Sequence, residues 1–156
     1  MRTLCLLALL LSSPQDQDAD LVLRGATIHD GSGRDGFTGD VAVRGDTIVA
    51  VGEWKGGAKK TVDARGLVVA PGFIDLHSHS DDPILSETTR DNHNYTTQGC
   101  TTIVTGNCGS GPVDVGKYYA EIDEFGVGVN VAHLLPQGAL RREVIAMREK
   151  MLDRHP

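Results

Sequence analysis

The segment Phe73-Ile74-Asp75-Leu76-His77-Ser78-His79 limits the fold more than any other part of this chain. Pro71-Gly72 precedes it and punctuates whatever comes before. The residues after that punctuation read as a buried strand. Alternate residues of a strand point to the same side. Phe73, Asp75, His77 and His79 therefore share one face, and Ile74 and Leu76 take the other. A strand of this kind delivers two imidazoles together to its C-terminal end.

The pattern beyond it alternates β with α. A polar stretch over 87–98 predicts a helix, closed by Gly99 as a C-terminal glycine. Thr101 to Thr105 predicts a second strand, and 110–125 a loop with some helix around Lys117 to Ile122. Val127 to Leu135 predicts a third strand. Ala139 to Arg154 predicts an amphipathic helix with Leu140, Val144, Met147, Met151 and Leu152 on one stripe. Strands alternating with helices argue for a parallel sheet or barrel.

Before Pro71 the pattern is β throughout. Short strands are expected at Leu21 to Leu23, Ala26 to His29, Asp40 to Val43, Thr47 to Gly52, Thr61 to Asp63 and Leu67 to Ala70. Together they predict a small antiparallel unit over 20–70. Its Arg44-Gly45-Asp46 triplet reads as the bend of a hairpin, not as an adhesion motif.

Two imidazoles two residues apart at a strand end can reach one metal ion. The alternative is a pair of solvated loop histidines; the preceding apolar strand and Pro-Gly favour ligands. Gly106-Asn107-Cys108-Gly109 follows the second strand directly. A thiolate between small residues there can approach a metal ion closely, although a buried thiol is the ordinary state of a free cysteine. Cys100, just before the strand, fits that ordinary state. A Cys100–Cys108 disulfide would have to span a whole extended strand, too far without a bend. Asp81 and Asn107 are candidates for the pocket lining, and Asp81 with Asp82 could instead cap the next helix. His29 lies in the small β unit, His93 in a polar helix and His155 at the chain end. His133, on the third strand, is expected to be a satisfied core histidine more than a site residue.

Composition narrows the partners. With a net charge of -6, 40% hydrophobic residues and no run of Lys or Arg, the chain carries neither a nucleic-acid nor an anionic-membrane footprint. Three cysteines are too few for a disulfide framework. Arg2, the apolar run Leu4 to Leu11 and the polar stretch from Pro14 read as a secretory signal over residues 1–19, which would remove Cys5. The expected location is periplasmic or secreted, with the cytoplasm as the alternative. The apolar run is too short to span a bilayer.

Val69-Ala70-Pro71-Gly72-Phe73-Ile74-Asp75-Leu76-His77-Ser78-His79 resembles the first barrel strand of the amidohydrolase superfamily. The preceding β unit, with Gly45-Asp46-Thr47-Ile48-Val49-Ala50-Val51-Gly52, looks like that superfamily's small N-terminal sandwich. Gln98 to Gly109 is similar to the N-acyl-D-amino-acid deacylases (D-aminoacylases). Asn130-Val131-Ala132 and Gly138-Ala139-Leu140-Arg141 look like the same family's third strand and following helix. Pro136-Gln137 departs from the Gly-His that the family often has there, which bears on acyl or amino-acid preference.

The resemblance implies an α/β protein: a small antiparallel β-sandwich-like unit over 20–70, then the first three β/α units of an incomplete (β/α)8 TIM-type barrel over 71–156. It implies Zn2+, one or two ions, with His77, His79 and Cys108 as ligands. It implies hydrolysis of an amide C–N bond of an N-acyl-D-amino acid by metal-activated water, with a late-strand aspartate passing the proton to the leaving amine. A full barrel takes about 250 residues, so that aspartate and the remaining histidine ligands are expected beyond this chain. The 156-residue chain is expected to be a truncated, inactive portion of such an enzyme, with no catalytic residue of its own. Two other readings stand beside it: a cyclic-amide hydrolase of the dihydroorotase or hydantoinase kind, which Cys108 argues against, and a non-catalytic metal-binding remnant.

Overall fold

The computed structural model describes residues 18–154. Nearly all of the expected signal segment, with Cys5, lies outside the described residues, as does His155. The chain forms two compact units that meet in sequence at Pro71 and Gly72. No helix among the described residues is long and apolar enough to cross a membrane.

The first unit is a five-stranded sheet built on β1 (Ala19–Ile28). β2 (Phe37–Arg44) pairs antiparallel with β1, and β3 (Thr47–Gly52) antiparallel with β2. β4 (Ala58–Asp63) and β5 (Val68–Val69) both run parallel to β1, along its first and second halves. The sheet is therefore mixed, which corrects the expected all-antiparallel unit. Alternation of apolar residues marks a strand but carries no record of its direction. Two further strands expected separately, Leu21 to Leu23 and Ala26 to His29, are one strand. A bulge interrupts its register between Leu23 and Ala26, with Gly25 at φ 71°. Trp54 is buried against Ala19, Val22 and Ala42, and its Nε1 donates to the Gly57 carbonyl at 3.1 Å. Ala26, Ile28, Val41 and Ala64 form a second small core.

Asp40 satisfies the bulge. It accepts from the Gly25 N–H at 3.0 Å, the Arg24 guanidinium at 2.7 Å and the Trp54 N–H at 3.3 Å. Burial pushes this carboxyl up, but those three donors outweigh burial and hold it below the usual carboxylate value.

The second unit is a mixed α/β assembly around a three-stranded parallel sheet in the order β6-β7-β8. β6 is Phe73–Asp75, β7 Cys100–Thr105 and β8 Asn130–His133. β7 is central, and its Cys100 and Ile103 pack with Ile84, Tyr118, Ile122 and Val129. α2 (Val115–Phe125) starts where the Asp114 side chain accepts from the Lys117 N–H, and stops at Gly126, φ 71°.

Two helical expectations change. Residues 87–98 do not form one helix. Only the short α1 (His93–Thr96) forms within it, and turns separate it from a single helical turn just upstream at Pro83–Leu85. Thr, Asp and Asn between Glu87 and Asn94 compete for local hydrogen bonds and favour such turns. Asn92 takes φ 51°, and its side chain accepts from the Gly128 N–H at 3.2 Å. α3 (Gln137–Arg154) does form, but its apolar stripe is not covered: Val144, Met147, Met151 and Leu152 are 57–67% exposed. The strand expected to be buried at Phe73 to His77 is likewise an edge, with Phe73, Ile74 and Leu76 exposed.

Because the folded Asp40 carboxyl titrates below its unfolded value of about 3.9, its contribution is complete above that value and is lost as pH falls through the folded one. Asp40→Asn is expected to flatten the acid limb of a stability-versus-pH curve below about pH 4. Asp40→Ala is expected to cost about 1–3 kcal/mol at neutral pH, measured by urea unfolding.

Candidate metal centre

β6 ends at Asp75, but its pairing continues for one more bond. The Ser78 N–H donates to the Val104 carbonyl at 2.9 Å. Between them the His77 N–H donates to Asp75 Oδ1 at 3.0 Å and bends the chain. Ser78 turns inward and is 2% exposed. Its hydroxyl bonds Tyr95 Oη at 2.7 Å, and the Ser80 hydroxyl bonds the same oxygen at 2.8 Å. With Ser78 and Ser80 tied to α1, His77 and His79 are left on the open side. Their rings are 5.2 Å apart between centroids and tilted by 54°.

Cys108 arrives from β7. Gly106 leaves the strand at φ 77°, and Asn107–Gly109 form a tight turn in which Cys108 itself takes φ 55°. Such a φ is uncommon outside glycine and needs local compensation. The Asn107 amide provides it, donating to the Val104 carbonyl at 2.7 Å and to the Ser78 carbonyl at 3.3 Å. Cys108 Sγ lies 3.3 Å from His77 Nε2. One donor atom each from His77, His79 and Cys108 fall within 4.8 Å of one another, and all three residues are exposed. Among the described residues no other group of three His, Cys, Asp or Glu does so.

The remaining candidates lie outside the group of three donors. Asp81 and Asn107 are 6% and 8% exposed, with their side chains bonded to backbone. The His133 ring is fully buried, bonded to Thr105 Oγ1 at 2.7 Å and to the Pro112 carbonyl at 2.9 Å. His93 is exposed beside Asp91, and His29 is exposed in the first unit. Cys100 is buried and Cys108 exposed, and both are free thiols. Tyr118 donates to the Asp81 carbonyl at 3.2 Å, and burial pushes its phenol up to about 12. Tyr95 is the residue that sequence reasoning missed. The inward alternation of Ser78 and Ser80 signals that something must satisfy them, but not which side chain does.

An imidazole pair with a thiol suits a borderline ion such as zinc, which takes N and S donors. The family model described as "Amidohydrolase family" matches residues 60–137, half of the chain. The chain belongs to the amidohydrolase family. It is 49% identical over 100 residues to a D-aminoacylase of Alcaligenes xylosoxydans xylosoxydans, a match covering 64% of this chain and 20% of that one. It is 47% identical over 92 residues to an N-acyl-D-aspartate deacylase of the same organism, covering 58% of this chain and 18% of that one. Among solved structures it resembles the N-acyl-D-glutamate deacylase of Bordetella bronchiseptica, complexed with zinc and a phosphonate inhibitor. That likeness has a TM-score of 0.74 at 34% identity and covers 80% of this chain and 31% of the other. The chain thus spans about a fifth of the length of the curated relatives it matches.

The burial contrast has a chemical readout. Iodoacetamide is expected to label Cys108 in the folded protein and to reach Cys100 only after denaturation, by peptide mass spectrometry. Equal labelling of the two would contradict the described turn.

Proposed function

We propose that His77, His79 and Cys108 hold a zinc ion in an enzyme that hydrolyses the amide bond of N-acyl-D-amino acids. The observation that carries this reading is the meeting of the three donors within 4.8 Å at the C-terminal ends of two parallel strands. In a parallel β/α barrel that end is the active-site mouth. We read the second unit as the first three β/α units of a TIM-type barrel and the first as the small sandwich that precedes it. The N-terminal pattern of the sequence supports export of the protein.

When bound, zinc supplies a nucleophile at neutral pH by lowering the pKa of water to about 7, and it polarises a carbonyl. This chain's own residues bind and orient. His77 and His79 are aimed by the Ser78 and Ser80 bonds to Tyr95. Cys108 is presented by a turn that Asn107 anchors to both strand ends. The thiol is the donor that favours a deacylase over a cyclic-amide hydrolase. The likeness to an allantoinase of Escherichia coli, 52% identity, runs over only 44 residues. An L-hydantoinase from Arthrobacter aurescens, at 20% identity and a TM-score of 0.58, shares the fold alone.

The test is metal content together with hydrolysis of N-acyl-D-amino acids, with N-acyl-L-amino acids as control. It is run on this chain and on the gene product extended to the relatives' length. The expected result is bound zinc and D-selective hydrolysis by the longer product, both lost in His77→Ala and in Cys108→Ala. Hydrolysis that survives both substitutions, or a longer product that takes up no metal, would contradict the reading.

A further inference from the structure

A buried polar group lies behind the Cys108 turn and takes no part in the donor cluster. Asp81 stands two residues after His79 and is 6% exposed. Its Oδ1 accepts from the Gly106 N–H at 2.6 Å, where β7 gives way to the turn. At the turn's other end Gly111 takes φ 123°. A Cβ there would come within 2.6 Å of Asp81 Oδ1 and 3.2 Å of His133 Cε1. A Cβ on Gly106 would overlap the Leu134 carbonyl and reach 3.0 Å from the same His133 carbon. The carboxylate and the imidazole therefore pack against both glycines that bound the Cys108 turn.

The His133 ring is used up where it sits. A carbonyl oxygen only accepts, so Nε2 carries a hydrogen and donates it to Pro112. Nδ1 bonds Thr105 Oγ1 at 2.7 Å, with Asp81 Oδ1 at 3.6 Å. Neither nitrogen is open to a metal or to a substrate proton. What the ring does is join Thr105, before the turn, to Pro112, after it.

We propose that Asp81 and His133 are positioning residues: together they hold the Gly106–Gly111 turn, and so place the Cys108 sulfur beside His77 and His79 for a shared metal. This rests on the metal reading above. Asp81 links the two halves of the donor set, because it follows His79 in the chain and fixes the backbone that leads to Cys108. Residues that orient ligands in this way change metal affinity by about 10–100-fold when removed.

Cobalt(II) is the probe, since its absorption reports both coordination and a bond to thiolate sulfur. Wild type is expected to show a sulfur-to-cobalt band that Cys108→Ser abolishes. Asp81→Ala and His133→Phe are expected to weaken cobalt binding about 10–100-fold and to diminish that band, with circular dichroism unchanged. Asp81→Asn keeps an acceptor for Gly106 and is expected to restore both. Unchanged affinity and band in Asp81→Ala and His133→Phe would overturn the inference. If His133→Phe does not fold, Thr105→Val removes the hydroxyl from Nδ1 while keeping the shape. Weakened cobalt binding in it supports the role of His133, and wild-type binding overturns that role.

A wild-type protein with no Cys108-dependent band would defeat the metal reading instead. Hydrogen exchange on the metal-free chain then decides the inference separately. Faster exchange of the Gly106 and Ser110 amides in Asp81→Ala supports the hold on the turn, and unchanged exchange overturns it.

Discussion

The parallel register of β6 on β7 is the constraint on which the candidate centre depends. The bond from the Ser78 N–H to the Val104 carbonyl, 2.9 Å, extends that register beyond the last strand residue. Parallel strands finish on the same side, so the segments that follow them meet. Two residues 31 positions apart, His77 and Cys108, thereby come to 3.3 Å. A slip of one residue would exchange the faces. The imidazoles would turn toward Tyr95, and Ser78 and Ser80 would face outward.

The meeting has a conformational cost that the neighbourhood offsets. Cys108 sits in the left-handed region at φ 55°, worth of order 1–3 kcal/mol of strain for a side-chain-bearing residue. Its amide neighbour Asn107 is bonded to both strand ends, and Gly106 beside it is the residue type that tolerates φ 77°. The exposed thiol and the buried amide are thus two sides of one short turn. The buried polar atoms around it are satisfied: among the described residues no buried side-chain nitrogen or oxygen lacks a partner.

The donors were legible because period-two alternation and the position just after a strand are local signals. The residues that meet, His77, His79 and Cys108, could be singled out on those signals, and the placement of Cys100 and His133 in the interior follows from the same reading. Tyr95 was not legible, because 87–98 reads as one polar helix. The hydroxyl reaches the serines only once that stretch breaks into turns at Asn92. The roles of Asp81 and Asn107 were hidden for a related reason. A carboxylate after a His pair points to a pocket by its type, while its partner, the Gly106 N–H, lies 25 positions along the chain. Strand direction in the first unit is set by which ends meet in space, so β4 and β5 could not be read as parallel. The stripe on α3 is legible as a pattern, yet Val144 and Met147 on it are exposed.

The proposed centre is one arrangement: two imidazoles and a thiolate sharing an ion at the ends of β6 and β7. X-ray absorption at the zinc edge of the metal-loaded protein tests it most directly. One sulfur and imidazole nitrogens bound to the zinc, with the sulfur absent in Cys108→Ser, is the predicted result. A zinc surrounded by nitrogen and oxygen alone in the unsubstituted protein would contradict it.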